Sequence, residues 1–261
     1  MNTWRAFDGA FTMHLRLYTF RRSRFITAIV APATTGAIGV LVLRTTNDSA
    51  AAFCRVLVGG GLAGMWGSLL GTAVFTLRRE REWYGTLPLL SVVPAPVEAI
   101  FGAYLLAEAA IGFAGIVASL LVGWGILGGR IAIVSPDVFA VSTVLSAVSL
   151  GALALVFMPV VVLLPILTRW INMLEYPVWL LAGFLFPVAL LPGWMNHLSP
   201  LVSAYWATEA MSGAAEGSGW SGILPDWASL AGLSAGYVAL SIVLLRLVVT
   251  RVRHSGALTL G

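Results

Sequence analysis

The sequence predicts an all-α membrane protein with six transmembrane helices. An amphipathic helix precedes them on the cytoplasmic side, a charged cytoplasmic connection follows the second, and short re-entrant helices lie outside the membrane before the sixth. Three observations carry this. The 261 residues are 59% hydrophobic and only 10% charged, against about 25% charged in soluble domains, with a mean hydropathy of +0.93. The apolar residues fall into runs near the length of about 20 residues that a helix needs to cross a bilayer. The basic residues sit almost entirely in alternate connections between those runs, as orientation in a membrane requires.

Residues 3–24 come first. Trp4, Phe7, Phe11, Leu15 and Tyr18 recur at three- and four-residue steps, and Arg5, Arg16, Arg21, Arg22 and Arg24 supply a basic complement. An arginine-rich helix with an aromatic stripe suits the membrane interface, either as a mechanical elbow or as a plain juxtamembrane anchor. No cleavable signal peptide is expected, because no apolar run precedes Phe25. The first span is read over 25–43, with a kink at Pro32, and a polar link over 44–53. The second span, 54–77, carries a ladder of small residues at four-residue steps: Gly59, Ala63, Gly67 and Gly71. Gly60, Gly64, Ser68 and Thr72 lie beside it. Such faces let helices approach closely in lipid, within one bundle or between subunits.

Residues 78–97 hold the densest charge in the chain: Arg78, Arg79, Glu80, Arg81 and Glu82 in succession, then Trp83, Tyr84, Gly85, Thr86 and Leu87, with Pro94 and Pro96 further on. The third span follows over 98–124. Glu108 lies inside it, about 18 Å along the helix from Pro96. A carboxylate at that depth is either a functional group or one held by hydrogen bonds from a neighbouring helix. A loop around Gly128, Gly129 and Arg130 leads to the fourth span, 138–167, where Pro159 and Pro165 are expected to bend or unwind the far end. The fifth span is placed at 171–191, short and broken by Pro187. Residues 192–226 form the longest link, and its first part, 192–213, is too polar to span and too apolar for a free loop. They read as an aromatic-rich re-entrant part followed by a Gly/Ser stretch. The last span is 227–250.

Orientation follows from arginine, since all fifteen basic residues are arginine. With the N-terminus in the cytoplasm, only Arg44, Arg55 and Arg130 fall outside, and the other twelve of the fifteen fall inside. That bias puts both termini and 78–97 in the cytoplasm. It also accounts for the net charge of +4 without a nucleic-acid site. The absence of lysine, itself the mark of a GC-rich codon bias, excludes a phosphate-binding Walker A loop, Schiff-base chemistry and Ser-Lys catalysis. The single cysteine, Cys54, excludes an internal disulfide and a cysteine metal cluster. The three histidines, His14, His197 and His254, are too far apart in sequence for a helical zinc pair. No cofactor or metal is expected on this chain.

The whole arrangement resembles the ABC type-2 permeases, the transmembrane subunits of ABC exporters with a G-subfamily-like fold. The sharpest local match is Glu80-Arg81-Glu82-Trp83-Tyr84-Gly85-Thr86-Leu87 followed by Pro94, similar to that family's acidic residues, Gly-Thr-Leu/Met-Glu and later proline. Leu191-Pro192 through Ser199-Pro200 and Tyr205 resembles the family's second signature. Pro88 stands where an acidic residue is usual, and Ser199 where Asn is common.

The resemblance implies a coupling helix in 78–97 that docks on an ATP-binding subunit, with Glu80, Arg81, Glu82, Gly85, Thr86 and Leu87 as its contacts. It also implies two ATP-binding subunits carrying ATP and Mg, a second copy of this chain or a related permease, and a cytoplasmic-membrane location among lipid. The expected activity is export of a hydrophobic or amphipathic substrate such as a drug, antibiotic or lipid. A secondary transporter or channel would show internal repeats or several midplane ionisable groups. A membrane-embedded enzyme would show a polar cluster at one depth.

Overall fold

The computed structural model describes residues 3–20, 22–45, 49–82, 97–129, 133–164 and 170–254. Among them are nine α-helices and no strand: α1 (Thr3–Phe20), α2 (Arg22–Arg44), α3 (Ala50–Glu82), α4 (Val97–Ile126), α5 (Pro136–Leu163), α6 (Ile171–Ala182), α7 (Gly193–Leu198), α8 (Ser203–Glu216) and α9 (Trp220–His254). Four are long and apolar enough to cross a membrane, over Ala50–Phe75, Ala99–Ile126, Pro136–Val161 and Trp220–Val248, and a shorter apolar segment runs over Ala28–Arg44. The chain is a multi-pass helical membrane protein.

The bundle is built round α3, which packs against α2, α4, α5, α6 and α8. Successive residues of a helix point about 100° apart, and the run Gly59-Gly60-Gly61 uses this to admit three neighbours at one level. A Cβ on Gly59 would overlap the Phe184 carbonyl, just past α6. One on Gly60 would stand 2.8 Å from the Gly36 nitrogen of α2, and one on Gly61 would stand 2.9 Å from Ile116 Cα of α4. One turn on, Gly64 seats the ring of Pro32, and Gly115 of α4 receives the same ring from its other side. Proline removes the N–H that would have bonded the carbonyl four residues earlier. That carbonyl, Ala28 O, lies 2.7 Å from where a Gly115 Cβ would be. The proline read from the sequence as a kink is therefore also a packing knob.

The small-residue ladder is used inside the chain. Gly59 meets Phe184, Ala63 is fully buried, and a Cβ on Gly67 would stand 2.5 Å from Glu175 Oε1 of α6, whereas Gly71 has open space around it. The expected fifth span, 171–191, differs most from the structure. Its helix ends at Ala182, capped by Gly183 at φ 66°, and a 3-10 turn follows at Val188–Leu190. Twelve residues make about 18 Å of helix, short of the roughly 30 Å hydrocarbon core. Pro187 continues the break but does not start it: the left-handed turn at Gly183 does.

The stretch 192–226, read as re-entrant, holds α7, a 3-10 turn at Ser199–Leu201, α8 and the start of α9. The Gly/Ser stretch contracts to a break after Gly217, whose φ is 102°, and the last span begins at Trp220 rather than at 227. Ala204, Ala207, Ala210, Met211 and Ala214 bury one face of α8 completely. Backbone N–H groups of Val134 and Ser135 donate to Ala215 and Ala214 O at its far end. Pro159 lies inside a continuous α5; Pro165 lies outside the described residues.

Gly59→Ala should disrupt the fold, because overpacking against backbone costs about 1–3 kcal/mol or more. Gly71→Ala should be neutral or stabilising by up to about 1 kcal/mol, from helix propensity alone. Thermal unfolding of the two purified variants in the same detergent checks the contrast.

Candidate functional site

Glu108 of α4 is completely buried. Its Oε2 accepts a hydrogen bond from Thr72 Oγ1 of α3 at 2.9 Å and stands 3.0 Å from His14 Nε2 of α1. One carboxylate oxygen thus joins three helices. An unpaired carboxylate buried in apolar surroundings is costly, so its partners must come with it. Here the partners include the Thr72 hydroxyl and the His14 ring. Tyr104, one turn before Glu108, stacks against the His14 ring with centroids 5.2 Å apart, and Phe101 meets Tyr104 edge-on at 6.2 Å. The imidazole is therefore oriented by α4 from two sides.

Position gives the cluster its interest. Thr72 lies six residues, or about 9 Å along the axis, before Arg78 on the same unbroken helix. Glu108 lies eleven residues after Val97, where α4 begins. The two helices that bracket 83–96 are thus tied to each other, and to α1, through one carboxylate.

A second polar joint sits towards the other end of α3. Arg55 donates from both terminal nitrogens to the two carboxylate oxygens of Glu209 on α8, at 3.0 and 2.9 Å. The paired geometry fixes orientation as well as charge. Both side chains keep partial exposure. Beside it, burial pushes the Tyr205 phenol above its usual range, and the Glu209 carboxylate adds to the rise. Aromatic side chains fasten the rest of this region: Trp220 Nε1 donates to Asp137 Oδ2, Trp227 Nε1 to Ser142 Oγ, and the Tyr237 hydroxyl to Leu201 O.

Of the residues singled out from sequence, Glu108 enters the central cluster, and Gly59, Ala63 and Gly67 enter the packing of α3. Glu80, Arg81 and Glu82 form the C-terminal end of α3, which continues through the charge block rather than stopping at 77. Gly85, Thr86 and Leu87 lie outside the described residues.

His14 was missed as a functional residue, although the signal was present. Positions 7, 11, 14 and 18 keep the three- and four-residue steps of the aromatic stripe, so His14 is the polar member of the buried face of α1. The Arg55–Glu209 pair had no such signal, because 154 residues separate its members. Among the described residues no three His, Cys, Asp or Glu side chains group as a metal site would.

Compared with known proteins, the chain matches no protein-family model and no curated sequence.

Glu108→Gln should fold, since an amide can still accept from Thr72. Glu108→Ala should cost about 3 kcal/mol or more, because it removes the acceptor shared by the half-buried Thr72 hydroxyl and the buried His14 ring. Arg55→Gln, breaking a partly exposed pair, should cost about 1 kcal/mol or less. Thermal unfolding in lipid nanodiscs ranks the three.

Proposed function

We propose that the chain is the permease subunit of an ATP-driven exporter of the ABC type-2 kind, working as two copies or with a related permease, and driven by two separate ATP-binding subunits. The observation that carries this reading is α3. A single helix runs from the most crowded part of the bundle out through Arg78, Arg79, Glu80, Arg81 and Glu82. Arginines in this block serve topology, but Glu80 and Glu82 do not, and a mixed-sign block gives a docking partner register and specificity. A push on that end by a nucleotide-dependent partner reaches α2, α4, α5, α6 and α8, all of which touch α3.

The order of elements supports the same reading. An amphipathic α1 precedes the spans, the charged connection follows α3, and short helices α7 and α8 precede the last span. In this reading both termini and the 78–97 connection face the cytoplasm, and ATP and Mg reside on the partner. The cargo is a hydrophobic or amphipathic molecule. Alternating access would come from two packings of the bundle with different affinity for the partner's nucleotide states.

The buried His14–Glu108 pair is the one observation that favours a secondary transporter, since paired ionisable groups inside a bundle serve proton relays. Purification of the tagged chain from its native membrane in mild detergent separates the two. Stoichiometric co-purification of an ATPase is expected, and transport that persists without one would overturn the proposal. Reversing Glu80 and Glu82 to Arg should abolish ATPase stimulation by cargo while leaving membrane insertion intact; normal transport by that variant would remove this block from the coupling role.

A further inference from the structure

The geometry points to a binding groove for a lipophilic cation between α1 and the α4–α5 pair. The groove is open on one side and has a volume of about 390 Å³, within the range of about 300–1,000 Å³ typical of small-molecule sites. One wall is aromatic. Phe7 and Phe11 of α1 stack with centroids 6.4 Å apart and planes inclined by 11°, and Trp4 continues the stack at 5.9 Å from Phe7. The opposite side is floored by Ala110 of α4 and Ala147 of α5. Their single methyl groups leave the space that the aromatic rings do not fill.

The occupant follows from charge. Asp8 is the one charged residue lining the groove among the described residues, and no hydrogen bond or ion pair engages it there. Arg5, one turn earlier, does not line the groove. Asp8 is exposed, so its carboxylate faces the open mouth of the groove, where it attracts a cation and repels an anion. The matching ligand has a single delocalised or quaternary positive charge and an apolar body: Asp8 supplies the counter-charge, and Phe7, Phe11 and the alanine floor supply the contact surface. A neutral acyl chain would use the floor and ignore Asp8, so it is the competing occupant. Ala110 follows Glu108 by two residues, so a bound ligand would press on the helix that carries the central joint. The site belongs to the isolated chain and does not depend on the ATP-driven reading.

Tetraphenylphosphonium and tetraphenylborate are close in shape and opposite in charge, and they test the assignment. Equilibrium binding of each radiolabelled ion to the purified chain in nanodiscs of zwitterionic lipid should give saturable phosphonium binding at least about tenfold tighter than borate binding. Asp8→Asn should remove most of that preference. Ala110→Phe should abolish saturable binding with the thermal midpoint unchanged. If that variant fails to fold, Val144→Trp, at an exposed position of the same groove, serves instead. Equal binding of the two ions would mean that a neutral chain is the natural occupant, and would overturn the proposal. So would the absence of saturable phosphonium binding, or its survival in a folded groove-filling variant.

Discussion

A helix can be surrounded at close range on several sides only if it has little side chain to put in the way. In lipid there is little hydrophobic gain from bringing two apolar helices together, so contact area and closeness must supply the attraction. α3 meets both conditions with the run Gly59-Gly60-Gly61, which gives up its side chains towards Phe184 just past α6, towards α2 and towards α4 at one level of the bundle. The cost is intrinsic helix stability, about 1 kcal/mol for each glycine relative to alanine, offset by five packed neighbours. Every other joint described here is set on that core. Pro32 sits in a notch made by Gly64 and Gly115, and the Thr72 hydroxyl reaches Glu108 because α3 and α4 lie close together.

Polar chemistry then appears where apolar packing alone would leave register undefined. Glu108 gathers α1, α3 and α4, and Arg55–Glu209 fixes α8 against the opposite part of α3. Smooth apolar faces can slide, but a buried carboxylate bonded to side chains of two other helices has few acceptable positions. α1 gains the most from this. Without His14 its attachment would be a stripe of aromatic rings against α4, which defines depth poorly. With His14, the amphipathic helix is joined to the two helices that bracket the charged connection. The same segment of α1 offers Asp8 and its aromatic wall to the groove beside α5, so the helix placed by the joint also shapes the groove.

Much of the fold was legible in the sequence because hydrophobic length and charge bias are one-dimensional. The long spans, the amphipathic start, and the short helices before the last span all follow from run length and periodicity. The ladder on α3 was legible as a ladder. The reading failed where a run of apolar residues does not stay helical. Residues 177–191 carry no polar side chain, yet Gly183 adopts a left-handed conformation and ends the helix that began at Ile171 after twelve residues. Nothing in local composition distinguishes that glycine from Gly71, which lies within a helix. Of the central site, Glu108 was visible as an anomaly of charge. His14 was visible only as a position in a stripe.

By itself the sequence determined that this is a helical multi-pass membrane protein, because composition sets the solvent, and that these 261 residues hold no lysine for a Walker A loop. It also located the charge block at Arg78–Glu82. Tertiary structure alone decided which small residues face which neighbour, that Glu108 is partnered by His14 and Thr72, and that Asp8 borders an apolar groove. Those facts depend on residues tens to more than a hundred positions apart being brought within a few ångströms, and periodicity along a chain carries no record of which helix will lie beside which.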